Sequence, residues 1–137
     1  QLSAMTANAV MSLSLDPPLV VVSVDKSASM HGLLEQGQCF AINILKREQE
    51  DLSNRFAQRG PEDFADLATK VAETGAPILV DALAYLDCTL VEIAAAGDHD
   101  MFIGKPLAGE AGEGDPLIFF GGRYGELAEV EVREDRK

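Results

Sequence analysis

Three places in the 137-residue chain carry side chains whose type and spacing suit chemistry. The first is the set Thr6, Asn8, Ser12 and Ser14, the polar positions of a segment in which apolar and polar residues alternate from Met5 to Asp16. A strand face that only meets water ordinarily carries Lys, Glu or Arg. Small neutral groups that both donate and accept instead suit the edge of a heterocycle with carbonyl and imide positions. The same pattern also fits a half-buried strand whose hydroxyls bond neighbouring backbone. The second place is Asp25-Lys26-Ser27-Ala28-Ser29, where an apolar run meets the start of a helix. The first N–H groups of a helix have no partner within it, so a lysine and two hydroxyls beside them make a phosphate site. A serine cap with a surface lysine is the alternative. The third is Gly97-Asp98-His99-Asp100, an imidazole on a turn beside two carboxylates. Such a group orients or polarises a substrate, or simply faces solvent. His31, further along the helix, reads as structural, although it lies near the suspected phosphate site.

Missing motifs narrow the chemistry. There is no GxGxxG fingerprint: Gly109, Gly112 and Gly114 have the wrong spacing and no strand-to-helix setting. No Walker loop, HExxH or GxSxG occurs. Cys39 and Cys88, the only cysteines, each sit in an apolar run with no adjacent base, which argues against a thiol nucleophile. Two buried-looking thiols fit a reducing cytoplasm better than a disulfide scaffold or a four-ligand zinc site. Redox chemistry here would need a bound organic cofactor held without a Rossmann unit.

These residues need elements to position them. Leu19 to Val24 is a β-branched run, expected to be a strand buried on both faces, after the bend imposed by Pro17-Pro18. A helix capped by Ser27 or Ser29 should follow and end at Gly37. Cys39 to Leu45 reads as another strand. Glu48, Glu50 and Asp51 load the first turn of a second helix that carries Leu52 and Phe56 on one face. Pro61 should open a further short helical segment with Phe64, Leu67 and Val71. Pro77 to Val80 and Ala82 to Ile93 read as strands, the second changing phase at Val91 as at a bulge. Gly97-Asp98 is a turn, Met101 to Ala108 a strand, Gly109 to Asp115 a loop and Leu117 to Phe120 a strand. Six or seven short strands with one or two inserted helices favour a mainly β chain, a barrel with helical crossovers. Residues 1–125 are expected to form one domain and residues 126–137 a charged tail. Gln1 falls within strand-like sequence, so a preceding piece is expected.

Composition agrees. The apolar fraction is 47% and the charged fraction 25%, which is globular usage rather than disorder. A net charge of −12 argues against nucleic acid or an anionic membrane as partner, because both require clustered Lys or Arg. No apolar run approaches the roughly 20 residues of a bilayer span, and none reads as a secretion signal. A soluble cytoplasmic protein is the expectation.

Several stretches, in unbroken order from about Ser3 to Tyr124, resemble the flavin reductase-like family, the small reductase components of two-component monooxygenases. They include Met5-Thr6-Ala7-Asn8, Ser12-Leu13-Ser14-Leu15-Asp16-Pro17-Pro18-Leu19 and Val24-Asp25-Lys26-Ser27-Ala28-Ser29. Phe40-Ala41-Ile42-Asn43-Ile44-Leu45, Gly75-Ala76-Pro77-Ile78-Leu79, Leu86-Asp87-Cys88, Gly97-Asp98-His99 and Gly121-Gly122-Arg123-Tyr124 also match. The resemblance implies a split, Greek-key β-barrel working as a homodimer, with FMN or FAD near the subunit interface and NADH or NADPH as hydride donor. It also implies a monooxygenase partner. Thr6, Ala7 and Asn8 would lie along the isoalloxazine, and Ser12 and Ser14 against its polar side or ribityl chain. Lys26 and Ser29 would hold the phosphate, His99 would touch the nicotinamide, and Tyr124 would lie nearby. Ala9, Met11 and Met30 depart from the family's hydroxyl-bearing pattern. No basic cluster suits a 2′-phosphate, which favours NADH. The alternatives are a protein that keeps its flavin and passes electrons on, for instance to ferric iron, and a non-catalytic binding module.

Overall fold

A computed structural model describes residues 3–58 and 64–128. Its frame is a five-stranded antiparallel sheet in the order β1-β2-β7-β6-β3. The strands are Val10–Leu15 (β1), Pro18–Asp25 (β2), Cys39–Ile44 (β3), Ala84–Ala96 (β6) and His99–Ala111 (β7). Two short antiparallel pairs flank it, Thr69–Lys70 (β4) with Ile78–Leu79 (β5), and Ile118–Phe120 (β8) with Arg123–Gly125 (β9). Helix α1 spans Ser29–Gly37, and helix α2, Glu50–Ala57, follows a 3-10 turn at Arg47–Gln49. The mainly β architecture with two helices is the one expected. Among the described residues no helix is long and apolar enough to cross a membrane.

The β-branched run of β2 is held on both edges, by β1 and by β7. Val20, Val22 and Val24 form the core with Leu34 of α1, Phe40 of β3, Cys88 of β6 and Phe102 of β7. Strands β6 and β7 form one long hairpin around Gly97, whose φ of +69° suits a residue without a Cβ. Register shifts between Leu90 and Glu92, leaving Val91 unmatched, so the phase change read from the sequence is a bulge. In β7, Gly104 is where Phe40 packs onto the backbone. A Cβ there would stand 2.5 Å from Phe40 Cζ and 3.0 Å from Cys88 Cβ.

Some expectations change. Alternation from Met5 onward becomes strand only at Val10, and register shifts between Ser12 and Ser14. Leu13 is therefore an extra residue, and the four polar positions do not form one continuous strand face. Neither Ser27 nor Ser29 caps α1. The N-cap is Ala28 without a side-chain bond, because the Ser27 N–H and hydroxyl both donate to Asp25 Oδ1 at 2.8 Å. Gly37 is the last helical residue rather than the stop; Gln38 takes the left-handed turn at φ 59° and donates its N–H to Leu34 O. Pro61 lies outside the described residues. The segment after it is a turn and β4, not a helix: Val80 N–H donates to Ala68 O, and Phe64 packs on Phe56 with ring centroids 5.3 Å apart. A segment this short has little helical stability of its own, so these tertiary contacts decide its shape. Strand β7 also runs on to Ala111, shortening the loop expected from Gly109.

Gly104→Ala should destabilise the domain by about 1–3 kcal/mol through overpacking against Phe40. Chemical denaturation would show the midpoint falling with an unchanged slope; an unmoved midpoint would mean that Phe40 yields without cost.

Candidate active site

The N-terminal end of the site is anchored before it can bind anything. Thr6 donates its N–H to Phe56 O at 3.0 Å and its hydroxyl to Ser53 O at 2.5 Å, fastening the strip to α2. Tyr124 of β9 joins the same junction, its hydroxyl 2.8 Å from Ser53 Oγ and donating to Asn54 Oδ1 at 3.2 Å. Its ring meets Phe119 edge-on at 5.1 Å. Ser53, buried in α2, thus ties three segments together, a role that the sequence pattern did not signal. Its neighbours Leu52 and Phe56 carry the apolar periodicity, and the serine between them looks like a polar interruption.

Beyond the anchor, Ala7 and Asn8 are exposed. Ser23 N–H donates to Ala9 O, continuing the β1–β2 pairing by one residue, so the strip leaves the sheet beside the C-terminal end of β2. That end also carries the Asp25–Ser29 turn, and the β2–β7 register sets His99 opposite Asp25. Lys26 N–H donates to Asp98 O, fixing the turn against the β6–β7 hairpin. The structure therefore brings Ala7, Asn8, Lys26, Ser29 and His99 to one end of the sheet. Ser12 and Ser14 are not in that group. At about 3.4 Å per residue, Ser12 lies roughly 10 Å along β1 from Ala9, paired with Val20.

Thr6, Ala7, Asn8 and Tyr124 also line a cleft of about 1410 Å³, walled by α1, β3, α2 and the 74–79 segment. This exceeds the usual 300–1,000 Å³ of a ligand pocket. Lys26, Ser29 and His99 are not part of its lining. One wall is pinned from beneath by Asp87. This fully buried carboxylate accepts the N–H groups of Glu73 (2.7 Å) and Thr74 (2.9 Å) and the Thr74 hydroxyl. Asn43 holds the next stretch, donating to Pro77 O and accepting from Leu79 N–H. Burial, and then the Asp87 carboxylate, push the Cys88 thiol up to about 11, so it stays protonated and unreactive at neutral pH.

The turn carries one lysine among three carboxylates, Asp25, Asp98 and Asp100. Helix α1 has no acidic residue in its first turn and no side-chain cap, and of its leading N–H groups that of His31 donates to Ala28 O. Lys26 Nζ, half exposed, is 3.9 Å from Asp100 Oδ1. His99 Nδ1 is 2.8 Å from Asp98 Oδ1, which orients the ring. Free helix N–H groups, a lysine and a serine hydroxyl fit a phosphate, and the neutral Ala7–Asn8 strip fits a planar heterocycle. Among the described residues no group of His, Cys, Asp and Glu is arranged to hold a metal.

The domain is thus an antiparallel β sheet with a lysine-bearing turn near a neutral strip. Residues 1–128 match the flavin reductase-like domain, and the chain belongs to that family. It is 39% identical over 124 residues to the FMN reductase (NADH) SmoA of Agrobacterium fabrum, covering 90% of this chain and 71% of that one. It is 38% identical over 122 residues to the reductase component of a 4-nitrophenol 4-monooxygenase/4-nitrocatechol 2-monooxygenase of Rhodococcus opacus. That alignment covers 89% of this chain and 65% of the relative. Among solved structures, the NADH:FAD oxidoreductase SgcE6 of Streptomyces globisporus, in complex with NAD and FAD fragments, superposes with a TM-score of 0.87. It is 34% identical, with 92% of this chain and 78% of that one covered. The family expected from the sequence is borne out, and with it NADH-dependent flavin reduction.

Tyr124→Phe should lower stability by about 1 kcal/mol, since Ser53 loses its hydroxyl partner inside the protein. Thermal melting checks this, and an unshifted transition would mean that the junction does not depend on that bond.

Proposed function

We propose that this chain reduces FMN or FAD with NADH in the cytoplasm and releases the reduced flavin to a partner monooxygenase. The observation that supports the residue assignment is that the strip preceding Ala9, the turn after Asp25 and His99 all adjoin the C-terminal end of β2. When bound, the nicotinamide supplies hydride and the flavin accepts it, so the chain itself needs no strong acid, base or nucleophile. Its part is to position and stabilise. Ala7 and Asn8 border the ring, with Thr6 and Tyr124 holding that border in place through α2. Lys26, Ser29 and the first N–H groups of α1 grip the phosphate. His99, oriented by Asp98, meets the nicotinamide. Holding two rings at about 3–3.5 Å supplies most of the rate gain in such a transfer.

The five-stranded sheet is read as part of a split Greek-key barrel, with residues 1–125 as one domain. A homodimer is favoured by apolar side chains left in the open on β1, where Met11 is 59% and Leu15 88% exposed. Ser12 and Ser14, on that same edge strand, then serve the far end of the flavin or the partner subunit's side of it.

Lys26→Ala should raise the FMN dissociation constant roughly tenfold, which is about 1.4 kcal/mol. Calorimetric titration measures it, and an unchanged affinity removes Lys26 from the site. His99→Ala should impair NADH use in stopped-flow reduction while leaving FMN affinity nearly intact. Loss of flavin binding instead would contradict the nicotinamide role.

A further inference from the structure

The carboxylate of Asp100 is shared between His31 and Lys26. Its Oδ2 lies 2.7 Å from His31 Nε2, and its Oδ1 lies 3.9 Å from Lys26 Nζ. The second ring nitrogen of His31, Nδ1, lies 3.2 Å from Oε1 of Glu35, one turn further along α1. An ionised carboxylate only accepts hydrogen bonds. The contact with Asp100 is the ring's hydrogen bond, and the approach to Glu35 is an ion pair only when the ring is protonated. Phe102, fully buried, meets the ring edge-on with centroids 5.1 Å apart. The side chains of His31 and Asp100 are each 14% exposed and Lys26 is 48% exposed, so the pair is fixed while the lysine can swing. Nothing in the redox chemistry uses His31.

We infer that His31 is a positioning residue for the flavin phosphate, its imidazolium holding Asp100 and so leaving Lys26 available to the anion. The inference rests on the assignment of Lys26 to the phosphate. The groups facing His31 are Glu35 from its own helix, Asp100 and the uncharged Phe102 from β7, and, through Asp100, Lys26 from the β2–α1 turn. Nearby, Asp98 is bonded to His99, and Asp25 accepts from Ser27. The sign follows from charge balance. With His31 protonated, the ring balances Asp100 and Lys26 keeps its charge for the phosphate. When the proton leaves, the ring no longer offsets the charge of Asp100, Asp100 competes with the phosphate for Lys26, and FMN binding weakens.

The test uses the full chain and follows FMN affinity by fluorescence quenching from about pH 6 to about pH 8, where histidine titrates. Riboflavin, which lacks the phosphate, is the control. Wild-type FMN affinity should weaken about three- to fivefold more across that range than the affinity of His31→Gln, as suits one partly exposed ion pair. Riboflavin affinity should show no such difference. Asp100→Asn, which frees Lys26 outright, should bind FMN tightly at both ends of the range, and it reads the same slope should His31→Gln melt early. A His31→Gln protein that keeps the wild-type slope, or a riboflavin slope equal to that of FMN, overturns the inference. If Lys26→Ala still weakens FMN binding in that case, the phosphate assignment stands alone; if Lys26→Ala has no effect on FMN, both fall.

Discussion

Strand β2 has no free edge: β1 pairs with one side of it and β7 with the other, and Val20, Val21, Val22 and Val24 are all buried. A slip of one residue would turn this run over and move Val20, Val22 and Val24 out of the cluster that contains Phe40 and Phe102. That register therefore fixes where the strand ends, and the end is where the chemistry is assigned. Asp25 stands opposite His99 and Val24 opposite Asp100, so the turn to α1 and the tip of the β6–β7 hairpin are placed by one packing decision in the core. The polar residues at the site are thus positioned by the packing of the β2 valines.

Around that fixed end, polar groups divide into those engaged with the protein and those left over. Thr6, Ser53 and Tyr124 bind one another's segments, Asp87 and Asn43 hold the 73–79 stretch, and Asp25 holds Ser27. No buried side-chain nitrogen or oxygen among the described residues lacks a partner, so the scaffold asks nothing of a ligand to complete it. A reductase that releases its flavin benefits from this. A site whose buried groups needed the cofactor would cost several kcal/mol each time the cofactor left. Exposed Asn8, Ser29 and the first N–H groups of α1 are wetted when empty, and exchange of water for flavin can be nearly balanced.

Much of this was legible in the residues. The β-branched run, the Gly97 turn and the phase change at Val91 declare themselves, because they depend on local pattern alone. The family was legible from several short matches in fixed order, although each was weak by itself. What sequence could not supply was the partner of each polar group. Ser27 looked like a helix cap and instead bonds Asp25, and nothing in the pattern signalled that the Thr6 hydroxyl donates to Ser53 O. Alternation through Ser12 and Ser14 continued in letters after Leu13 had broken it in register. The helix expected at Phe64 failed for the same reason: its periodicity is real, but Phe56, Arg55 and β5 provide contacts that a helix would forgo.

Charge raises the remaining question, since a chain with a net −12 is assigned an anionic ligand. Beyond a Debye length of about 8 Å at physiological salt, exposed charges contribute little, so the balance is decided by the groups at the end of β2. Three carboxylates are there, and each has a partner within the protein: Asp25 with Ser27, Asp98 with His99, Asp100 with His31 and Lys26. The first N–H groups of α1, with no acidic residue in the helix's first turn, are the favourable partial charges there for a phosphate. A net charge of −12 thus coexists with one turn where a lysine and the first helix N–H groups lie together. The lysine there is effective in proportion to how fully its acidic neighbours are satisfied elsewhere.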